Sequence, residues 1–181
     1  MSGNIDYAKN RGITEDTIKE FGIGLHTNNV AGFTTNELIK CGILSDNGYD
    51  LMTNRLTFPF YNRFGQIIGF GGREVGNGKV KYINTRNSIV YDKSKFLYNI
   101  YKAEPHIKYE EIAVVVEGYF DVVTLWQYGI RNVAGTCGTS FTEHHCNALI
   151  KAGAKEIVFA FDNDTAGVKA LQRAFEVCNK V

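Results

Sequence analysis

The sequence is poor in most of the features that would mark a membrane, secreted or zinc-stapled protein. No run of 18 apolar residues occurs in its 181 positions, so no segment is long enough to cross a bilayer as a helix. The opening stretch MSGNIDYAKNRGITED lacks the apolar core of a secretory signal. Cysteine is limited to Cys41, Cys137, Cys146 and Cys178, with no CxxC pair and no histidine at finger spacing. Reduced thiols in a cytoplasmic protein are expected, and a structural zinc site is not. There are only two prolines, Pro59 and Pro105. Repeats and low-complexity tracts are absent, so neither a solenoid nor a tail is indicated.

What is present is an uneven distribution of charge. The net charge is +1, yet residues 51–102 hold nine Lys or Arg against Glu74 and Asp92 alone, a local excess of +7. Residues 1–50 carry 4 basic and 7 acidic groups, and residues 103–181 carry 7 basic and 10 acidic. A basic block between acidic flanks points to a polyanionic partner.

The first half reads as short helices followed by a hairpin. Thr14 is placed to cap EDTIKEF, which ends at Gly22, and TTNE (34–37) is a capping box. LTFPFYNRFGQIIGF reads as strands near 56–61 and 66–71 joined by a turn at NRFG. Pro59 makes its strand an edge or an irregular one. KVKYINT is a further extended piece. Ser94 is expected to cap a helix reaching Ala103, and Pro105 to close this half. The second half changes rhythm. IAVVVE, RNVAGT and EIVFAF alternate with YFDVVTLWQYG, EHHCNALIKAG and VKALQRAFEVCNK, the pattern of a parallel sheet covered by helices. The fold class is therefore α/β, a helix-flanked parallel sheet preceded by a small mixed α/β subdomain.

Parallel strands bring their C-terminal ends to one edge, where α/β sheets place their sites. Glu117 ends the strand AVVV, and Asp162 and Asp164 follow IVFAF, so all three carboxylates reach that edge, with Asp121 one helical turn beyond Glu117. Like charges so close repel unless they are protonated or bridged by a cation. Hard oxygen ligands without His or Cys suit Mg²⁺ or Mn²⁺. The competing structural reading makes Asp162 and Asp164 helix caps and pairs Glu117 with a basic residue.

VVVEGYFDVVTLWQYGI, AGTCGTSFT and VFAFDNDTAG together resemble the toprim module, with its strand ending in Glu-Gly, its Gly-Thr-Ser loop and its strand ending in Asp-x-Asp. Upstream, RGITEDTIKEFGIG, NRLTFPFYNRFGQIIGFGGREVGNGKVKYINT and VYDKSKFLYN resemble the RNA polymerase domain of bacterial DnaG-type primases. The resemblance covers nearly the whole chain. It implies a primase subdomain at 1–104 and a toprim domain at 105–181. It also implies DNA-templated synthesis of short RNA primers from ribonucleoside triphosphates on single-stranded DNA, by a two-metal mechanism, in DNA replication. Glu117, Asp162 and Asp164 match the family's catalytic, metal-binding acids, with Asp121 in the matching helix. Arg55, Arg73, Lys81, Asn84 and Lys93 match its nucleotide- and DNA-binding surface. Mg²⁺ or Mn²⁺ is the implied cofactor. A monomer without membrane contact is expected, with a replicative helicase as a partner through regions this chain does not contain. The family's zinc-binding ligands and its helical subdomain are also not found here. The alternatives are a toprim nuclease using the same acids, or a non-catalytic nucleic-acid or nucleotide-binding fragment.

Other residues read as packing. His144 and His145 are adjacent and point apart, a poor chelating pair. Tyr119, Phe120 and Trp126 suit a helix core. Ser140 has no His–Asp relay. The glycines of GFGGR alone indicate close backbone approach or turn geometry rather than a phosphate loop.

Overall fold

The computed structural model describes residues 5–26 and 32–181. The chain divides into two compact units, one of residues 1–62 and 66–92 and the other of residues 63–65 and 93–181.

In the first unit, α1 (Asp6–Asn10) and α2 (Glu15–Phe21) precede the short β1 (Gly24–Leu25). Thr14 caps α2 by accepting the Thr17 N–H, and Gly22 ends it in the left-handed conformation. α3 (Thr35–Lys40) begins with the expected Thr34–Glu37 capping box. β2 (Arg55–Tyr61), β3 (Ile67–Glu74) and β4 (Tyr82–Asn84) complete an antiparallel sheet of order β1-β2-β3-β4. Leu56, Phe58 and Phe60 alternate along β2 and are fully buried, the period-2 pattern of a strand facing a core.

Pro59 sits opposite Phe70. The Phe70 carbonyl accepts from Thr85 N–H, on the β4 side. Phe70 therefore turns its backbone groups away from β2, and the donor that Pro59 lacks falls on the outer side of β2. β1 pairs there only with Leu56 and Thr57, so the proline costs the ladder nothing. The register also shifts between Phe60 and Tyr61. The glycines of GFGGR lie inside β3 itself. A side chain at Gly72 would come within 2.7 Å of Met52 Sδ and 2.8 Å of Arg55 Cδ.

The second unit holds α4 (Ile100–Glu110), β5 (Ile112–Val116), α5 (Tyr119–Gln127), β6 (Val133–Gly135), α6 (Glu143–Lys151), β7 (Glu156–Phe159) and α7 (Thr165–Cys178). Its sheet is parallel, in the order β6-β5-β7. Ala113 and Val115 of the central strand share a buried cluster with Ala103 and Ile107 of α4, Leu149 of α6 and Ala174 of α7. Alternation turns Val116 to the opposite face. Its partner Gly135 lies there so close to α5 that an added Cβ would meet Val122 at 2.8 Å.

Helix α4 differs from the sequence expectation. Asn99, not Ser94, stands at its N-cap, and the helix runs through Pro105 to Glu110. The Ser94 carbonyl instead accepts from Thr142 Oγ1 at 2.7 Å. An interior proline costs a helix about 3 kcal/mol. Here Pro105 and Tyr101, four residues before it, are both exposed, so the missing helix bond falls on the outer face of α4. Burial of Ala103 and Ile107 on the other side holds the helix together.

Candidate active site

Val115 and Phe159 are register partners in the parallel pair β5–β7. Two residues further on, each strand has left the sheet at its C-terminal edge, which sets Glu117 beside Phe161 and Asp162. The Asp162 N–H donates to Glu117 Oε1 at 3.1 Å. Glu117 thus faces a main-chain amide, and no Lys or Arg among the described residues pairs with it. Asp162 is exposed, and its carboxylate has no protein partner among the described residues.

Asp164 caps α7, with Oδ1 accepting the Gly167 N–H at 2.8 Å. Asp121 caps α5, with Oδ2 accepting the Gly118 N–H at 2.9 Å. Among the described residues the competing structural reading therefore describes Asp164 as a cap, but neither Asp162 as a cap nor Glu117 as the partner of a basic residue. Both helix starts aim their N–H groups at this edge, which favours negative charge there. The four carboxylates share the edge, but among the described residues no three acidic, His or Cys side chains converge as a group that could hold a metal ion.

Two neighbours of the acids were not singled out from the sequence. Gly167 is buried in the first turn of α7. A Cβ there would overlap the Asp162 carbonyl oxygen and stand 3.0 Å from Glu117 Oε1. The signal in the sequence was the glycine three residues after Asp164, inside an otherwise good helix. Cys137, at φ +48°, donates its N–H to the Glu117 carbonyl at 2.9 Å and ties the β6–α6 loop over that strand end. Burial pushes its thiol well up, the Asp121 charge adds to the rise, and a hydrogen bond with Tyr119 opposes it. Such a thiol stays protonated and is no nucleophile.

The basic candidates are differently placed. Arg55 is buried, 3.6 Å from Glu74 Oε2, and its Nη1 donates to the Lys81 carbonyl at 3.4 Å. Arg73 is half-buried on β3, and its Nε donates to Tyr7 Oη at 3.0 Å. Asn84 pairs with Gly71 and so shares the Arg73 face of the sheet. Lys81 is exposed just before β4. Lys93 is exposed in the second unit. His145 is fully buried and its Nδ1 accepts the Thr142 N–H, whereas His144 is exposed. Tyr119, Phe120 and Trp126 are core.

Residues 2–104 match the family model described as the N-terminal domain of the DNA primase catalytic core. The chain belongs to the DNA primase catalytic core family. Residues 114–181 match a toprim-like model, which agrees with the parallel sheet. A DNA primase from Rickettsia bellii is 38% identical over 188 residues, covering 96% of this chain and 31% of the relative. The chain thus spans about a third of the length of the curated primases it matches. Among solved structures, a DNA primase domain from Pseudomonas aeruginosa is similar at a TM-score of 0.86 and 37% identity, covering 96% of this chain and 58% of that one. A DnaG primase catalytic domain bound to single-stranded DNA is similar at 0.84 and 34% identity, covering 95% and 57%.

Proposed function

We propose that the chain forms part of a primase catalytic core that joins ribonucleoside triphosphates into short RNA primers on single-stranded DNA, using Mg²⁺ or Mn²⁺. The observation that carries this reading is the sheet edge, where Glu117 and Asp162 meet through a backbone amide and, among the described residues, no basic side chain pairs with Glu117. An ion pair there would have made Glu117 structural. The donor set suits a hard cation. Among the described residues the Asp162 carboxylate has no partner, and Glu117 and Asp164 each engage a single oxygen. With Asp121 beside them, these are the residues that would hold the ion. When bound, the cation would offset the charge of the triphosphate and make the attacking 3′-hydroxyl more acidic.

The chain's own residues supply position and charge. Arg73 and exposed Lys81 hold phosphate groups, Asn84 adds an amide on the Arg73 face, and Lys93 adds charge from the second unit. Arg55, held by Glu74 and bonded to the Lys81 carbonyl, steadies the backbone from which Lys81 projects. We divide the functional parts at 1–104 and 105–181, supported by the family-model boundary at 104. The reading includes a cytoplasmic monomer with a replicative helicase as a partner.

Incubation with labelled ribonucleotides, single-stranded template and Mg²⁺ or Mn²⁺ tests the reading. New labelled oligomers support it. Cleaved template would favour a toprim nuclease, and retained ligand without product a binding module.

A further inference from the structure

Arg73 is more tightly framed than a surface phosphate ligand needs to be. Across β3–β4 it is the register partner of Tyr82, and its guanidinium lies 4.7 Å from that ring. The Tyr7 ring, from α1, lies 5.4 Å from the same guanidinium, and Tyr7 Oη accepts the Nε–H at 3.0 Å. Aromatic contacts of this kind hold a guanidinium plane by cation–π attraction and stacking. Arg11 adds a second guanidinium 5.6 Å from the Tyr7 ring. Of Arg73's five N–H donors, the inner one is used by Tyr7. The four on Nη1 and Nη2 make no hydrogen bond among the described residues. Arg55 is the contrast, since its guanidinium is turned to Glu74 and to a carbonyl.

We propose that Tyr7 is a positioning residue, which fixes the Arg73 guanidinium so that its two terminal nitrogens face outward as a preformed fork for a substrate phosphate. The inference rests on the reading of Arg73 as a phosphate-binding residue. Arginine carries large side-chain freedom, and a ligand that must freeze it binds more weakly than one that meets a fork already ordered. The Nε–H···Oη bond sets the rotation of the fork about the side-chain axis, which stacking alone leaves loose. Tyr7 therefore acts on affinity through Arg73 and makes no substrate contact of its own. The phosphate belongs either to the DNA strand or to the incoming nucleotide, and both share this chemistry.

The test is a double-mutant cycle on the full chain, with Tyr7→Phe, Arg73→Ala and the pair. Anisotropy of a labelled single-stranded oligonucleotide and calorimetry with ATP form separate arms. Arg73→Ala is expected to weaken one ligand by roughly tenfold, as for a lost charged hydrogen bond. Tyr7→Phe keeps the ring and should weaken the same ligand by about three- to tenfold, with no further loss once Arg73 is alanine. The affected arm identifies whose phosphate is held. Arg73→Lys keeps the charge without the fork, and should be indifferent to Tyr7→Phe. Wild-type affinity in Tyr7→Phe beside a weakened Arg73→Ala would overturn the positioning role, as would losses that simply add. No effect of Arg73→Ala on either ligand would instead remove the reading of Arg73 itself.

Discussion

Replacing Gly167 with alanine sets two effects against each other. In most helices the change is favourable by about 1 kcal/mol, because alanine is the better helix former. Here the added carbon overlaps the Asp162 carbonyl oxygen and crowds Glu117 Oε1 at 3.0 Å. Its main obstacle is backbone, not the free end of a side chain, so the Asp162–Asp164 loop itself has to move. That movement strains the Asp164 cap, which accepts from Gly167 N–H, and caps are worth about 1 kcal/mol. Overpacking of this kind costs roughly 1–3 kcal/mol, which leaves a net destabilisation of about 2 kcal/mol. For a chain of this size, each kcal/mol lowers Tm by about 2–4 °C, so a fall of about 4–8 °C is expected by calorimetry. The Asp162 amide should also exchange faster with solvent, because its bond to Glu117 lengthens. A variant as stable as the parent or more so, with that amide equally protected, would refute the reasoning.

Glu117→Gln keeps an oxygen for the Asp162 amide, so melting and DNA affinity should survive while primer synthesis is lost; loss of folding would make Glu117 structural. Glu74→Ala strands the buried Arg55 guanidinium and should cost roughly 3 kcal/mol in urea unfolding, whereas replacing both partners by apolar residues should recover most of it. The Cys178 thiol is pushed up to about 11 by burial and by Cys146, whose sulfur lies 3.8 Å away. The folded chain therefore holds that proton more tightly than the unfolded one. Its contribution to stability should be full below about pH 8.5 and fade as pH rises through 11, and Cys178→Ala should remove that part of the pH dependence.

The strands of the second half, their shared C-terminal edge and most helix starts were legible because they depend on local periodicity and on caps a few residues away, whereas the strand order β6-β5-β7 was not. Thr14, Thr34 and Gly22 are examples, each satisfied within one turn. Helix α4 was not, because its course through Pro105 is decided by burial of Ala103 and Ile107, a tertiary effect that overrides the local breaker. The acids were legible as residues at strand ends. Their partners were not, since the Glu117–Asp162 contact joins positions 45 apart, and the Tyr7–Arg73 bond joins positions 66 apart. Arg55 shows a further limit. The sequence of a basic block does not show which charges are buried, and only packing reveals that Arg55 lies buried beside Glu74.

Pro59 has a consequence for how the first sheet assembles. A two-residue strand such as β1 has little to hold its alignment, and a slip of two residues would leave the side-chain alternation unchanged. A slip toward the C-terminal end of β2 would bring a carbonyl opposite the proline, where no donor exists, at a cost of about 1 kcal/mol for the lost bond. In the native alignment the chain before β1 has already turned through Gly22, whose added Cβ would lie 3.4 Å from Pro59 Cγ. The proline therefore serves as an end-stop for strand pairing, allowing the hairpin to accept β1 in one alignment and to reject its nearest competitor.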